Sequence, residues 1–491
     1  MVKKVIVIGS GFAGLSAASF MAKAGWQVTV LEKQSGPGGR ARQLQQAGFT
    51  FDMGPSWYWM PDVFERYFAS FGKEVKQYYQ LQRLDPSYRI YWEQSFTDLP
   101  ASLYEFKKLI DTWEPGAAAK LDRFLKEAAY KYKTGMQKLV YKPGQSVTEF
   151  LDADVLKGLF RLDLFTSIKT HIHKYFQHPQ IRQMLEFPIL FLGALPENTP
   201  ALYSLMNYAD IVGGTWYPQG GMYSIVHGMH HLALSLGVEF HFNENVTHIE
   251  VEAGAAKKVR TQQHTYEADV VIGSADYHFI ESSLLQPEYR TYTPEYWEQR
   301  LLAPSSLLYY VGLNKRLEKI RHHMLFFDAP FDQHAQQIYL RKQWPDHPLF
   351  YVCAPSVTDD TVAPPGCENL FFLIPVAAGL TGDDEALRNR YFDAIIRRFE
   401  ERIGQSIAGN IVFRQSFGNS NFVDEYNSFK GNAYGLANTL RQTALLKPSC
   451  RSRKVPNLFY AGQLTVPGPG VPPSLISGEV VAKEVLKYYS R

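Results

Sequence analysis

Three stretches of sequence predict an α/β fold for this chain. Val5–Ile8 and Val28–Leu31 are short apolar runs rich in β-branched residues; the first leads into Gly9, Gly11 and Gly14, and the second ends at Glu32. Far downstream, Asn457–Tyr460 is another buried-strand pattern and leads to Gly462. Strands without a polar face belong to parallel sheets covered on both sides by helices. A doubly wound sheet built from distant parts of the chain is therefore expected, with an α+β part inserted between them.

The first forty residues read as strand, loop, helix, strand. Gly9 allows a tight turn, Gly11 lets backbone approach a pyrophosphate, and Gly14 permits close contact between helix and strand. Leu15–Ala24 is small and apolar enough for the helix, which stops at Gly25. Its N-terminus offers unpaired N–H groups and the positive end of the dipole to a phosphate. Glu32 is placed to accept hydrogen bonds from ribose hydroxyls, and its charge disfavours a 2′-phosphate, which argues against NADP. This is the Rossmann-type fingerprint, and NAD and FAD share it. Gly38-Gly39-Arg40-Ala41-Arg42 follows as a flexible basic loop; it suits the far side of the same pyrophosphate, or a solvated turn equally well.

Further along, Gly220-Gly221 opens a helix, and Gly237–Asn243 and Val246–Glu252 alternate as strands. Val259–Glu267 continues that pattern, and Ala268–Ser274 is another buried strand. Beyond Gly462 come Gln463, Pro467, Gly468, Pro469, Gly470, Pro472 and Pro473, then a helical pattern with Ser474 as its expected N-cap. A loop of this kind presents backbone donors, and its prolines limit their freedom. It suits a planar, electron-poor ring whose reduced form carries negative charge. The nucleotide-binding stretches are thus 1–70, 215–275 and 405–491, and the substrate part is expected in 75–210 and 280–400.

Composition narrows the class of function. At 491 residues there is chain for about three domain-equivalents. Hydrophobic residues make up 45% and aromatics 14%, which excludes a disordered chain because that bulk must be buried. With 51 basic against 48 acidic residues, the balance gives no reason to expect nucleic-acid binding. Cys353, Cys367 and Cys450 have no ligand spacing, and the histidines, including the pair His171 and His173, have none either; no metal is expected. No run reaches the ~18 apolar residues that cross a bilayer, Pro188–Leu195 and Leu370–Leu380 being the longest. The start, two lysines then apolar residues, resembles a signal peptide, but the glycines from Gly9 onward argue for an unprocessed, cytoplasmic protein.

Gly9–Gly14, Glu32 and Gly38–Arg42 resemble the N-terminal signature of FAD-dependent, amine-oxidase-like flavoproteins, a group that includes carotenoid desaturases. Phe51-Asp52-Met53-Gly54-Pro55-Ser56 is similar to the segment that brings backbone close to the flavin in that group. Gly462–Pro473 resembles its C-terminal flavin-binding element, which favours FAD over NAD. The resemblance implies cofactor contacts at Gly9, Gly11, Phe12, Ala13, Gly14, Glu32 and Lys33. It implies more at Gly39, Arg40, Gly54 and Pro55, at Val246 beside the adenine, and at Gly462, Gln463, Gly470, Val471 and Pro472. Many of these flavoproteins carry an acid where this chain has Gln463; carotenoid desaturases commonly lack it.

Across its length the sequence is similar to bacterial phytoene desaturases, with further likeness at Gly213–Gly221, Ala354–Pro364 and Ser428–Gly435. The resemblance implies hydride transfer from a long isoprenoid to flavin N5, loss of a proton from the neighbouring carbon, and reoxidation by oxygen or a quinone. A later-step desaturase of a hydroxylated or partly conjugated carotenoid is the alternative; an amine or protoporphyrinogen oxidase and a prenyl-binding escort are rivals. Arg182 and Asp359 are the candidates for proton transfer by family similarity, each with a structural reading beside it, an ion pair and a turn. Tyr104–Tyr141 interleaves Lys107, Lys108, Lys120, Arg123, Lys126, Lys131, Lys133, Lys138 and Lys142 with aromatics. That pattern suits a helical part lying on the inner face of a membrane, or a solvated helix against the body of the protein.

Overall fold

The computed structural model describes residues 2–146, 149, 162–163, 166–190, 193–439 and 442–490. Val5–Ile8 becomes the Lys4–Ile8 strand, whose last four residues are buried, at the centre of a five-stranded sheet. The order is Leu458–Tyr460, Val270–Gly273, Lys4–Ile8, Gln27–Leu31, Glu239–His241, and every neighbour is parallel. Three widely separated parts of the chain therefore meet in one layer. The Phe12–Lys23 helix crosses from the first strand to the next and lies against the Val471–Tyr489 helix. Contact between them is so close that a Cβ on Gly478 would stand 2.3 Å from the Ala13 carbonyl oxygen.

That last helix begins at Val471, not at Ser474 as expected. Pro472 and Pro473 occupy its first turn, where a missing N–H costs nothing, and Gly470 takes the N-cap at φ +112°. Proline preorganisation outweighed serine capping here.

The inserted part is built on a seven-stranded sheet in the order Ile411–Phe417, Ser305–Leu313, Glu368–Val376, Phe350–Cys353, His323–Phe327, Tyr88–Trp92, Phe96–Leu99. All neighbours are antiparallel except His323–Phe327 against Tyr88–Trp92. The 405–491 boundary groups Ile411–Phe417 with the nucleotide-binding stretches, but this strand forms the edge of the other sheet. Ser305–Leu313 is buried throughout, yet it still alternates: Leu307, Tyr309 and Val311 join the core under the Glu385–Ile403 helix. Ser306 and Leu308, on the opposite face, line a cavity.

Helices at Leu103–Trp113, Ala117–Thr134, Ile168–Tyr175 and Pro179–Leu190 close one side. Ser102 and Ser167 cap two of them by accepting from Glu105 N and Thr170 N. His171 and His173 sit on the third helix and point apart, His171 beside Phe124 and His173 toward Glu186 at 2.9 Å. Residues 191 and 192 of the Pro188–Leu195 run lie outside the described residues. Among the described residues no helix is long and apolar enough to cross a membrane.

Candidate active site

A cavity of about 440 Å³ begins at the ends of the first two parallel strands and extends across to the second sheet. Gly9, Gly11, Phe12, Ala13, Glu32, Lys33, Gly39, Arg40, Gly54 and Pro55 line it, with Val246, Gly462, Gln463, Gly470, Val471 and Pro472 from the distant stretches. Gly14 does not line it. Its role lies one layer back, because a Cβ there would meet the Gly9 carbonyl oxygen at 2.0 Å.

The glycine loop and the acid after it fit a dinucleotide. Gly9 has φ +98°, a conformation that favours glycine, and the Phe12–Lys23 helix begins directly behind Gly11. A Cβ built on Gly11 meets nothing within 4 Å, so the space in front of the helix N-terminus is open to a phosphate. Glu32 is buried and fixed: its carboxylate accepts from Ser10 N at 2.8 Å, Ser10 Oγ at 2.7 Å and Gln34 N at 2.9 Å.

The two arginines of the basic loop have different fates. Arg42 pairs with Glu425 at 3.1 Å, so its charge is already met. Arg40 donates to Ser428 Oγ and the Asn432 carbonyl, makes no ion pair among the described residues, and has a buried Nε without a partner. Burial lowers its pKa, and the nearby Asp276 carboxylate opposes that. A guanidinium left short of an anion, lining the dinucleotide end of the cavity, fits a diphosphate. With its amide oxygen turned toward donors, Gln463 accepts from Arg40 Nη2 at 3.1 Å and Gly435 N at 3.3 Å. A neutral residue there leaves the arginine's charge for the ligand, which is a physical reason for the missing acid. Arg40→Met should therefore weaken cofactor binding roughly 10- to 100-fold while the chain stays folded, as read by flavin retention in equilibrium dialysis.

The other end of the cavity is apolar and aromatic. Trp57, Trp59, Phe187, Leu308, Leu325, Phe327, Phe331 and Ala335 line it. Trp57 is held by stacking on His323, with ring centroids 4.1 Å apart. A polar reactant would be desolvated here without compensation, whereas a long hydrocarbon would not.

Neither of the candidates for proton transfer lines this cavity. Asp359 anchors a turn: it accepts from Tyr217 Oη at 3.0 Å, Gly220 N at 2.7 Å and Thr361 N at 2.9 Å. Arg182 donates its Nε to the Phe176 carbonyl at 2.7 Å. Sequence reasoning also missed residues that do line the site, among them Ser274, Asp276, Glu244 and Tyr426. The first two follow the buried strand ending at Gly273, which was the available signal; Tyr426 had none. The sequence likewise hid two clusters whose possible ligand atoms lie within 4.8 Å of one another, His322, His323 and Cys353, and Glu127, Asp163 and His171.

The chain belongs to the flavin containing amine oxidoreductase family, whose model matches residues 12–486. It is a flavoprotein, and FAD is the flavin that the cradle of Gly9, Gly11, Glu32 and Arg40 fits. The chain is 40% identical over 485 residues to a carotenoid 3,4-desaturase of Haloarcula japonica, covering 98% of each chain. It is 31% identical to a zeta-carotene-forming phytoene desaturase of Myxococcus xanthus, covering 99% of this chain and 94% of that one. Its fold is similar to that of cyclohexylamine oxidase from Brevibacterium oxydans, with a TM-score of 0.59 at 12% identity and full coverage of both chains.

Proposed function

We propose that this protein is an FAD-dependent desaturase that introduces a C–C double bond into a long, already partly conjugated carotenoid. The observation that carries this reading is the 40% identity to a carotenoid 3,4-desaturase over 98% of both chains, against 31% to a phytoene desaturase. Bound FAD supplies the two-electron acceptor for the hydride. The chain supplies orientation and dryness: Trp57, Phe187, Leu308 and Phe327 hold a flexible polyene by contact alone and exclude water. The fold's capacity for a prenyl-binding escort is opposed by the open phosphate space at Gly11, which an escort has no use for.

Purified, FAD-loaded protein is to be offered phytoene and a partly conjugated carotenoid in parallel. A shift of the second to longer absorption wavelength, with phytoene unchanged, is the expected result. Conversion of phytoene instead would move the assignment to the earlier step, and no conversion of either would sink the desaturase reading.

Such a substrate resides in lipid, which supports peripheral attachment to the inner face of a membrane, with a membrane quinone or oxygen as electron acceptor. The helices Leu103–Trp113 and Ala117–Thr134 are the contact we favour, with one correction to the basic stripe. Lys131 faces inward: it is buried, donates to the Ala201 carbonyl and pairs with Asp163 at 2.8 Å. Lys107, Lys108 and Lys120 are paired with Asp122, Glu105 and Glu114. The side chain of Lys138 lies outside the described residues. Arg123, Lys126 and Lys133 are exposed, as are the rings of Tyr104 and Tyr130. At about 1 kcal/mol per basic residue, changing these three to Gln should weaken co-sedimentation with anionic vesicles roughly 100-fold. Unchanged co-sedimentation would assign the contact to another surface.

A further inference from the structure

We propose that Asp52 is the final acceptor of the proton that desaturation removes from the substrate, reached from the main cavity through Ser56. The inference rests on the desaturase reading above. Removing a hydride and a proton from a hydrocarbon leaves the proton in an apolar enclosure, where it needs a chain of oxygen or nitrogen atoms to leave.

One residue opens such a chain. A second cavity of about 20 Å³ lies behind the first, lined by Asp52, Ser56, Tyr217, His322, Cys353 and Asn369 among others. Among the described residues, Ser56 alone lines both cavities. The volume suffices for a single water. Two of its lining residues carry buried polar atoms without a hydrogen-bond partner, His322 Nε2 and Asn369 Oδ1, which a water would satisfy. Tyr351 Oη donates to Ser56 Oγ at 3.0 Å and also contacts His323 Nδ1 at 2.6 Å. With that bond accepted, the serine's own hydrogen is free to turn toward the small cavity.

The groups around this cavity differ in what they can accept. Asp52 is partly buried and its carboxylate accepts from Met222 N at 2.6 Å and Tyr223 N at 3.0 Å. Burial outweighs these two bonds and pushes its pKa up to about 7, with repulsion from Asp359 adding to the effect. It is thus ionised above neutrality and readily protonated. Asp359 is held below the usual carboxylate range, despite its burial, by Thr361, Gly220 and Tyr217. His322 is driven down to about 3 by burial, His323 lower than ordinary for the same reason, and the Cys353 thiol is pushed up to about 12. Tyr217 and Tyr310, which also face Asp52, are raised by burial and stay neutral. Of all these groups, only Asp52 has the basicity to take a proton near neutral pH and return it to solvent.

Bound FAD would take up the hydride with both electrons of one C–H bond. The neighbouring C–H bond leaves its electron pair in the new double bond, and its proton passes to Ser56 Oγ. Ser56 releases its own proton through the small cavity to the Asp52 carboxylate, which becomes a neutral carboxyl.

Because Asp52 must be ionised to accept, single-turnover desaturation should rise with pH through about 7 and then level off. Asp52→Asn should remove that pH dependence and slow the step roughly 100-fold. Since Asp52 also anchors the Met222 turn, Ser56→Ala is the second variant: it should slow the step similarly and leave flavin content unchanged. Infrared difference spectra provide a reading independent of turnover. Wild type and Ser56→Ala should show a buried carboxyl that titrates near 7, absent in Asp52→Asn. A Ser56→Ala enzyme at the wild-type rate, an unaltered pH profile in Asp52→Asn, or no titrating carboxyl in wild type overturns the proposal and leaves desaturation standing. A wild type that shows the titrating carboxyl but converts no carotenoid overturns the desaturase reading, and the proton route with it.

Discussion

Gly11→Val should purify as a folded, colourless protein. A Cβ at this position meets no protein atom within 4 Å, so the chain itself tolerates the side chain. The same space is where a diphosphate must approach the helix that begins at Phe12. Valine fills it, and flavin binding should be lost outright, read as the absence of the flavin absorption band with an unchanged thermal transition of the flavin-free protein. Gly14→Ala provides the contrast. Its Cβ would stand 2.0 Å from the Gly9 carbonyl oxygen, so it should damage the fold itself. A yellow Gly11→Val protein would mean that the glycine loop is not the phosphate cradle.

Ala335→Trp should keep the flavin and lose the reaction. Ala335 is buried in the Phe331–Gln336 helix and lines the apolar end of the cavity, away from the glycine loop and Arg40. An indole in that space would obstruct a long hydrocarbon. Misplacement of a reacting carbon by about 1 Å costs on the order of 100-fold, so conversion of a carotenoid should fall at least that far while flavin content stays at the wild-type level. Loss of both together would report a folding defect, and full activity would locate the substrate elsewhere.

What the sequence revealed of this architecture follows from the range of the interactions involved. Val5–Ile8, Val28–Leu31 and Asn457–Tyr460 were legible because a strand covered on both faces shows no alternating polar side. Gly9, Gly11 and Gly14 were legible because each answers a local backbone demand. Val246 was raised only by resemblance, since a valine in a strand carries no further mark. Ile411–Phe417 was misassigned because alternation tells which face is buried but not which sheet is joined. Lys131 was read as part of an outward-facing basic stripe, on a membrane or in solvent, and its burial depends on Asp163 and Ala201, partners that no local pattern specifies. The expected cap at Ser474 lost to two prolines beside it. Tyr426, over which Arg40 and Arg42 lie at 5.5 and 5.2 Å, comes from a segment with no distinguishing pattern at all. Sites assembled by topology leave little trace in the order of residues.

The close seat of Gly478 against Ala13, together with the edge strand at Leu458–Tyr460, has a consequence for biogenesis. The glycine loop leaves the ribosome well before Leu458–Tyr460 and Gly478, yet its bed is finished only when these later segments dock beside it. Until then the nascent chain holds an incomplete half-site, with greasy strands awaiting their neighbours, a state in which chaperones find their clients. Flavin capture therefore waits on the docking of Leu458–Tyr460 and of the helix that carries Gly478.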